Sequence, residues 1–145
     1  MQKGQISTET LAIVGVILLL MVPFILYAIG KSNNAKEDFA VQKAEFAAQR
    51  LARLVDSIGY LGGSSAIVEQ VEVPPYVKSL NISGGGHDIV FQMETSSGKK
   101  EIVRTTAFNV TAEGLERVKK EGTYYFEIRA LSNFSGGAQV KITVR

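Results

Sequence analysis

The sequence predicts an α+β chain: a long N-terminal hydrophobic α-helix followed by a small antiparallel β-sandwich-like head domain. Three observations carry this. Residues 11–29 hold no charge, residues 35–58 repeat their apolar positions at helical spacing, and everything after Gly59 breaks into short β-branched segments between turn signals.

The uncharged run comes first. Its 19 residues, rising 1.5 Å each, span about 28 Å, close to the hydrocarbon thickness of a bilayer. The charges before Lys31 are Lys3 and Glu9, which cancel. Gly15 and Pro23 interrupt the run. Pro23 removes one helical hydrogen bond and predicts a kink or a small gap, a defect that neighbouring helices absorb in a membrane or a helix bundle. Gly15 allows another backbone to approach closely.

Lys31-Ser32-Asn33-Asn34 is polar, and two readings of it stand. Either the helix continues as one rod, about 80 Å over residues 6–58, or two helices meet at a hinge over residues 30–34. Beyond it, Phe39, Ala40, Ala44, Ala47, Ala48, Leu51, Leu54, Val55 and Ile58 form a stripe rich in small residues. Lys36, Glu37, Lys43, Arg50, Arg53 and Asp56 fall mostly elsewhere on the helix. Gly59 and then Gly62-Gly63-Ser64-Ser65 end it.

Six strands are expected in the head, over residues 67–73, 77–82, 89–95, 101–110, 123–131 and 138–144. Tyr124, Phe126, Ile128 and Ala130 alternate onto one face, as do Val140, Ile142 and Val144, which makes Tyr124 and Tyr125 point to opposite faces. Turns at 96–100 and 132–137 read as hairpin connections, and 113–121 reads as a helical turn or a charged loop.

Composition narrows the function. At 145 residues the chain is the size of one domain, and without cysteine it has no disulfide framework and no thiolate metal site. Its net charge of +2 is spread among both signs, so nucleic acid is not an expected partner. His87, the lone histidine, sits in a glycine-rich loop without other ligands nearby, and Gly84-Gly85-Gly86 lacks the ending of a phosphate loop. Neither a catalytic, a metal nor a cofactor site is expected, and the chain does not read as an enzyme. All three asparagines of the head, Asn81, Asn109 and Asn133, open Asn-x-Ser/Thr sequons, which marks them as candidate N-glycosylation sites. The alternative is that they are turn residues in a Ser/Thr-rich sheet.

The segment before the apolar run is out of the usual order for a secretory signal, because a small residue that invites cleavage precedes the hydrophobic region. Lys3-Gly4 leads into Gln5-Ile6-Ser7-Thr8-Glu9. Over its first thirty residues the chain resembles the archaeal type IV pilin precursors with a class III signal peptide, whose pattern is Gln-x-Ser-x-Glu-x-x-x-Leu after a short basic leader ending in Gly. Gly4, Gln5, Ser7 and Glu9 match; Ile13 stands where the family more often has Leu.

The resemblance implies a cleaved leader, residues 1–4, removed by a prepilin peptidase between Gly4 and Gln5. It implies a helix over residues 5–58, of which 5–30 serve membrane and filament core and 31–58 form an amphipathic stalk, and a head over residues 59–145. The subunit would wait in the membrane as a single-pass precursor with its head outside. An assembly ATPase and a membrane platform protein would then build it into a homo-oligomeric helical filament on the archaeal cell surface. Leu11, Val14, Leu18 and Phe24 represent the polymerisation helix. Glu9 is the docking residue: a buried unpaired carboxylate is costly, and cleavage frees an amine on Gln5 that a neighbour's Glu9 can meet. The plainer account of Glu9 is a first-turn acid favoured by the helix dipole, with Ser7 or Thr8 capping. Two other functions remain open: an archaellum-type filament subunit, and a membrane-anchored binding module that never polymerises. The alanine stripe leans against the last, unless it packs on its own head.

Overall fold

The computed structural model of the chain describes residues 2–131 and 139–145, with side chains from Thr8 onward. One α-helix, α1, runs from Gln2 to Leu61, 60 residues without a break at Pro23 or at the polar patch 31–34. The hinge is thus not adopted. Asn33 and Asn34 are poor helix formers but not breakers, and no proline follows to stop the turn. At the C-terminus Gly62 takes φ +79° and its N–H donates to the Ile58 carbonyl at 3.2 Å. This is a left-handed cap that glycine adopts without a Cβ penalty.

The chain divides into two compact units, Met1–Lys36 and Glu37–Arg145. The second holds the last part of α1 and all the described strands: β1 (Ala66–Val73), β2 (Val77–Ser83), β3 (Asp88–Thr95), β4 (Gly98–Thr105), β5 (Asn109–Glu113), β6 (Gly122–Leu131) and β7 (Gln139–Val144). They form a four-stranded sheet in the order β1-β6-β7-β5 and a three-stranded sheet in the order β2-β3-β4. The fold is the expected α+β arrangement with a sheet head. Pairing is antiparallel except between β5 and β7, which run parallel from Asn109↔Gln139 to Glu113↔Thr143.

The expected single strand over 101–110 is two strands in different sheets, and Thr106 is the reason. Its backbone N–H donates to the His87 carbonyl at 2.7 Å, while its buried hydroxyl lies 3.0 Å from that carbonyl and 2.8 Å from that of Phe108. These bonds end β4 and turn the chain toward the other sheet. The charged stretch after β5 contains a 3-10 turn, Leu115–Arg117. The turn expected at 132–137 lies outside the described residues, although β6 and β7 pair as antiparallel neighbours from Leu131↔Gln139 inward.

One buried cluster joins both sheets to α1. Ala40, Ala44, Ala47, Ala48, Leu51, Val55 and Ile58 from the helix meet Phe126, Ile128 and Ile142 of the first sheet and Leu80, Phe91 and Met93 of the second. Small side chains let the helix backbone approach the sheets. Leu51 and Val55, fully enclosed, each contribute about 1.5–3 kcal/mol of burial. Polar bonds hold the same helix to both sheets. The Glu37 carboxylate accepts from the Ser96 hydroxyl at 2.7 Å and the Ser96 N–H at 3.2 Å, and Asp56 accepts from the Ala107 N–H at 2.8 Å. Lys43 pairs with Glu72 and Arg50 with Glu69 on β1. Phe39 does not belong to the buried stripe as its spacing proposed: it is 66% exposed, as Phe46 is 70% exposed. The two stand one heptad apart on α1, outside the buried cluster, and Phe46 lines a surface cleft with Val71 and Glu72 of β1.

Candidate functional site: an apolar helix and the head surface

Every side chain from Thr8 to Lys36 is exposed. The four positions taken to represent the polymerisation helix range from 48% exposure at Val14 to 75% at Leu11, with Leu18 and Phe24 between. The most apolar 18-residue window of α1 has mean hydropathy 2.8, none of it buried. By length and composition the helix can cross a membrane once. A ring of large residues with no polar face leaves this segment without a preferred side, so lipid or other apolar helices can surround it equally. Tyr27 lies near the C-terminal end of the apolar run, with the Lys31 ammonium 5.8 Å from the ring centroid. An aromatic residue beside a lysine is the pairing favoured where hydrocarbon gives way to headgroups. A Cβ at Gly15 or Gly30 would meet nothing within 4 Å, so the close backbone approach expected at Gly15 is not made within the described chain.

Gly4 and Gln5 fall in the opening turns of α1, and the Gln5 side chain lies outside the described residues. Glu9 is exposed. Because α1 begins at Gln2 and has no acid in its first turn, Glu9 lies inside the helix and not in its first turn. Ser7 and Thr8 are likewise internal to the helix, where a capping role is not available.

The sequons separate. Asn81 is exposed on β2, with its Nδ2 3.2 Å from Ser79 Oγ. Asn109 is half-buried at the start of β5, and its Nδ2 donates to the Gly85 carbonyl at 3.0 Å. Both amide nitrogens donate a hydrogen bond, so exposure is what separates the two: Asn81 is open to solvent and Asn109 is half-buried. Asn133 lies outside the described residues.

Tyr124 and Tyr125 do point to opposite faces. The Tyr124 ring packs on the core and its hydroxyl donates to the Lys120 carbonyl at 3.1 Å, while Tyr125 is half exposed. Tyr60 meets Phe108 edge to face at 4.9 Å, closing the end of the helix over the β4–β5 connection. His87 Nδ1 lies 3.3 Å from the Thr106 carbonyl, so it braces the strand crossover. Among the described residues no three His, Cys, Asp or Glu side chains gather as a metal site. On β6, Glu127 accepts from Arg129 at 2.8 Å and from Arg145 at 2.7 Å. These two guanidinium groups, Arg129 foremost, hold its carboxyl below the usual carboxylate range.

No family model, curated protein or solved structure matches the chain.

Sequence reasoning overlooked Phe46 and placed Phe39 on the stripe, although both are exposed. The signal was present as a seven-residue interval between aromatics on the polar side of the stripe. It also overlooked the positive φ at Tyr76.

Proposed function

We propose that the chain is a pilin, the structural subunit of an extracellular archaeal type IV pilus, polymerising through its N-terminal helix and serving surface adhesion. The observation that carries this reading is the contrast along α1. The head encloses its own share of the helix in a complete core, yet residues 11–29 are apolar on every side and wholly exposed. Such a surface calls for lipid first and copies of itself afterwards, and moving between the two exposes little apolar area to water. The Gly4-Gln5-Ile6-Ser7-Thr8-Glu9 pattern adds a processing site in the right place.

On this reading a prepilin peptidase cuts between Gly4 and Gln5. The precursor waits in the membrane with its head outside, and an assembly ATPase and platform protein drive extraction into the filament. Glu9 sets axial register by pairing with a neighbour's new N-terminal amine. The subunit is not an enzyme, and Asn81 is the described sequon suited to carry a glycan.

The test is the intact mass and N-terminal sequence of protein taken from its native cell surface, followed by recovery of sheared filaments. A start at Gln5 with the chain in filaments is expected. A start at Met1, or at Lys31 after the apolar helix, would overturn the reading. Glu9→Gln is expected to be processed normally and to leave filaments few or absent.

One observation favours a second reading, an anchored module that never polymerises. The alanine stripe is fully used inside the head and so no longer argues for a packing face between subunits. The filament recovery separates the two.

A further inference from the structure

On the head, a shallow cleft of about 330 Å³ opens between the β1–β2 turn, the end of β3 and the segment leading into β6. Its walls include Tyr76, Lys78, Glu94, Lys119, Lys120 and Glu121. Lys78 and Glu94 pair at 3.3 Å and largely cancel. Lys119 and Lys120 form no ion pair among the described residues.

Tyr76 is the unusual member. It follows Pro74-Pro75 and takes φ +69°, the left-handed region that a bulky side chain rarely enters and that this kind of proline-led turn ordinarily gives to glycine. The turn is held there: the Tyr76 carbonyl accepts the Glu94 N–H at 2.9 Å. Glycine would fit this backbone without strain, so tyrosine carries a backbone cost here, and its ring, more than a third exposed, lines the cleft. Backbone strain of this kind concentrates where a side chain has a task. The opposite wall is fixed as well, since the Tyr124 hydroxyl donates to the Lys120 carbonyl.

We propose that this cleft binds an anionic saccharide. The ring of Tyr76 offers an amphipathic face for stacking on a sugar, and the Lys119 and Lys120 ammonium groups pair with its carboxylate or sulfate. The volume sits at the small end of the range for ligand sites, about 300–1,000 Å³, room for a short saccharide unit and not for a folded partner. Glu121 beside the lysines keeps the net charge of the cleft low, so affinity depends on the ring as well as on charge. The inference deepens the adhesive part of the function proposed above and is independent of polymerisation.

The experiment titrates the full-length protein, unassembled in detergent micelles, with oligomers of polygalacturonate and of dextran sulfate, and with neutral dextran, by calorimetry. Binding to one or both anionic oligomers and not to dextran is expected, the two arms distinguishing carboxylate from sulfate. Y76G is expected to weaken binding about fivefold without lowering the unfolding midpoint, because glycine suits that φ. The K119Q/K120Q pair is expected to remove the salt-dependent part of binding, while the charge-matched pair K43Q/K141Q, neither of which lines the cleft, leaves binding near its original strength. Equal losses from the two lysine pairs, unchanged binding in Y76G, or equal binding to neutral dextran would each overturn the proposal. Because no filament is involved, failure here leaves the processing and filament test standing, and failure there leaves this one.

Discussion

The two halves of α1 are built from the same kind of residue and end in opposite environments. Residues 11–29 carry large side chains, Leu, Ile, Val and Phe, and all of them are exposed; the half inside the head is buried chiefly through Ala40, Ala44, Ala47, Ala48 and Ala52. Hydrophobicity alone therefore does not decide which half is covered within one chain. The alanine half presents one narrow smooth face that two sheets can approach, with charged residues to bond their rims. The leucine-rich half presents bulk all round, which no single sheet could cover. One half is covered by its own chain, and the other is left exposed by it.

Substitutions separate these conditions. The largest effect is expected from Leu51→Ala, which empties a fully enclosed site and costs the head about 2–5 kcal/mol. Thermal unfolding of the full chain in detergent should register the loss, while membrane partition stays unchanged. Leu18→Arg should do the reverse. Arginine near the middle of the span costs about 2.5–3.5 kcal/mol of insertion, so alkaline extraction of membranes should release more of the variant, with the head's unfolding midpoint unmoved. If Leu18→Arg also lowered that midpoint, the separation of the two halves would be wrong.

A second pair makes one chemical change in both halves. Ala48→Leu overfills a site with no exposure and is expected to destabilise the head by about 1–3 kcal/mol. Ala28→Leu, on the exposed half, is expected to leave the midpoint in place. The smallest effect concerns the outer surface of the first sheet. Glu127 has a folded-state carboxyl pKa below its unfolded value, so its contribution is complete above the unfolded carboxylate range, about pH 4. It is lost as pH falls through the lower folded value. Stability measured against pH should therefore decline less steeply on acidification in Glu127→Gln than in the parent.

Much of the architecture was legible in the sequence because it rests on short-range periodicity. The uncharged run, the alanine spacing and the alternation from Tyr124 to Ala130 each repeat within a few residues, and each appears in the helix or strand it indicates. What was not legible depends on partners distant in the chain. Nothing local announces that Thr106 bonds the His87 carbonyl and divides 101–110 into strands of two sheets, or that β5 lies parallel to β7. The stripe's spacing identified a face but not its cover. Phe39 was assigned to that face by its apolar character, although its direction puts it outside. In the candidate sites, a sequon records only the order of three residues, so Asn81 and Asn109 look alike until the fold leaves one exposed and half-buries the other. Tyr76 gives no warning either, since a residue's φ is set by the turn that holds it.

The position of β7 bears on how such a chain is made. The last strand in chain order is not at an edge: it lies between β6 and β5 and pairs with both. During synthesis the apolar half of α1 emerges before any strand, while the four-stranded sheet lacks an inner member until β7 arrives. Closing contacts between segments so far apart in sequence is slow relative to helix formation. On the function proposed above, the N-terminal helix would therefore have time to enter a bilayer while the head is still open, without a separate timing device.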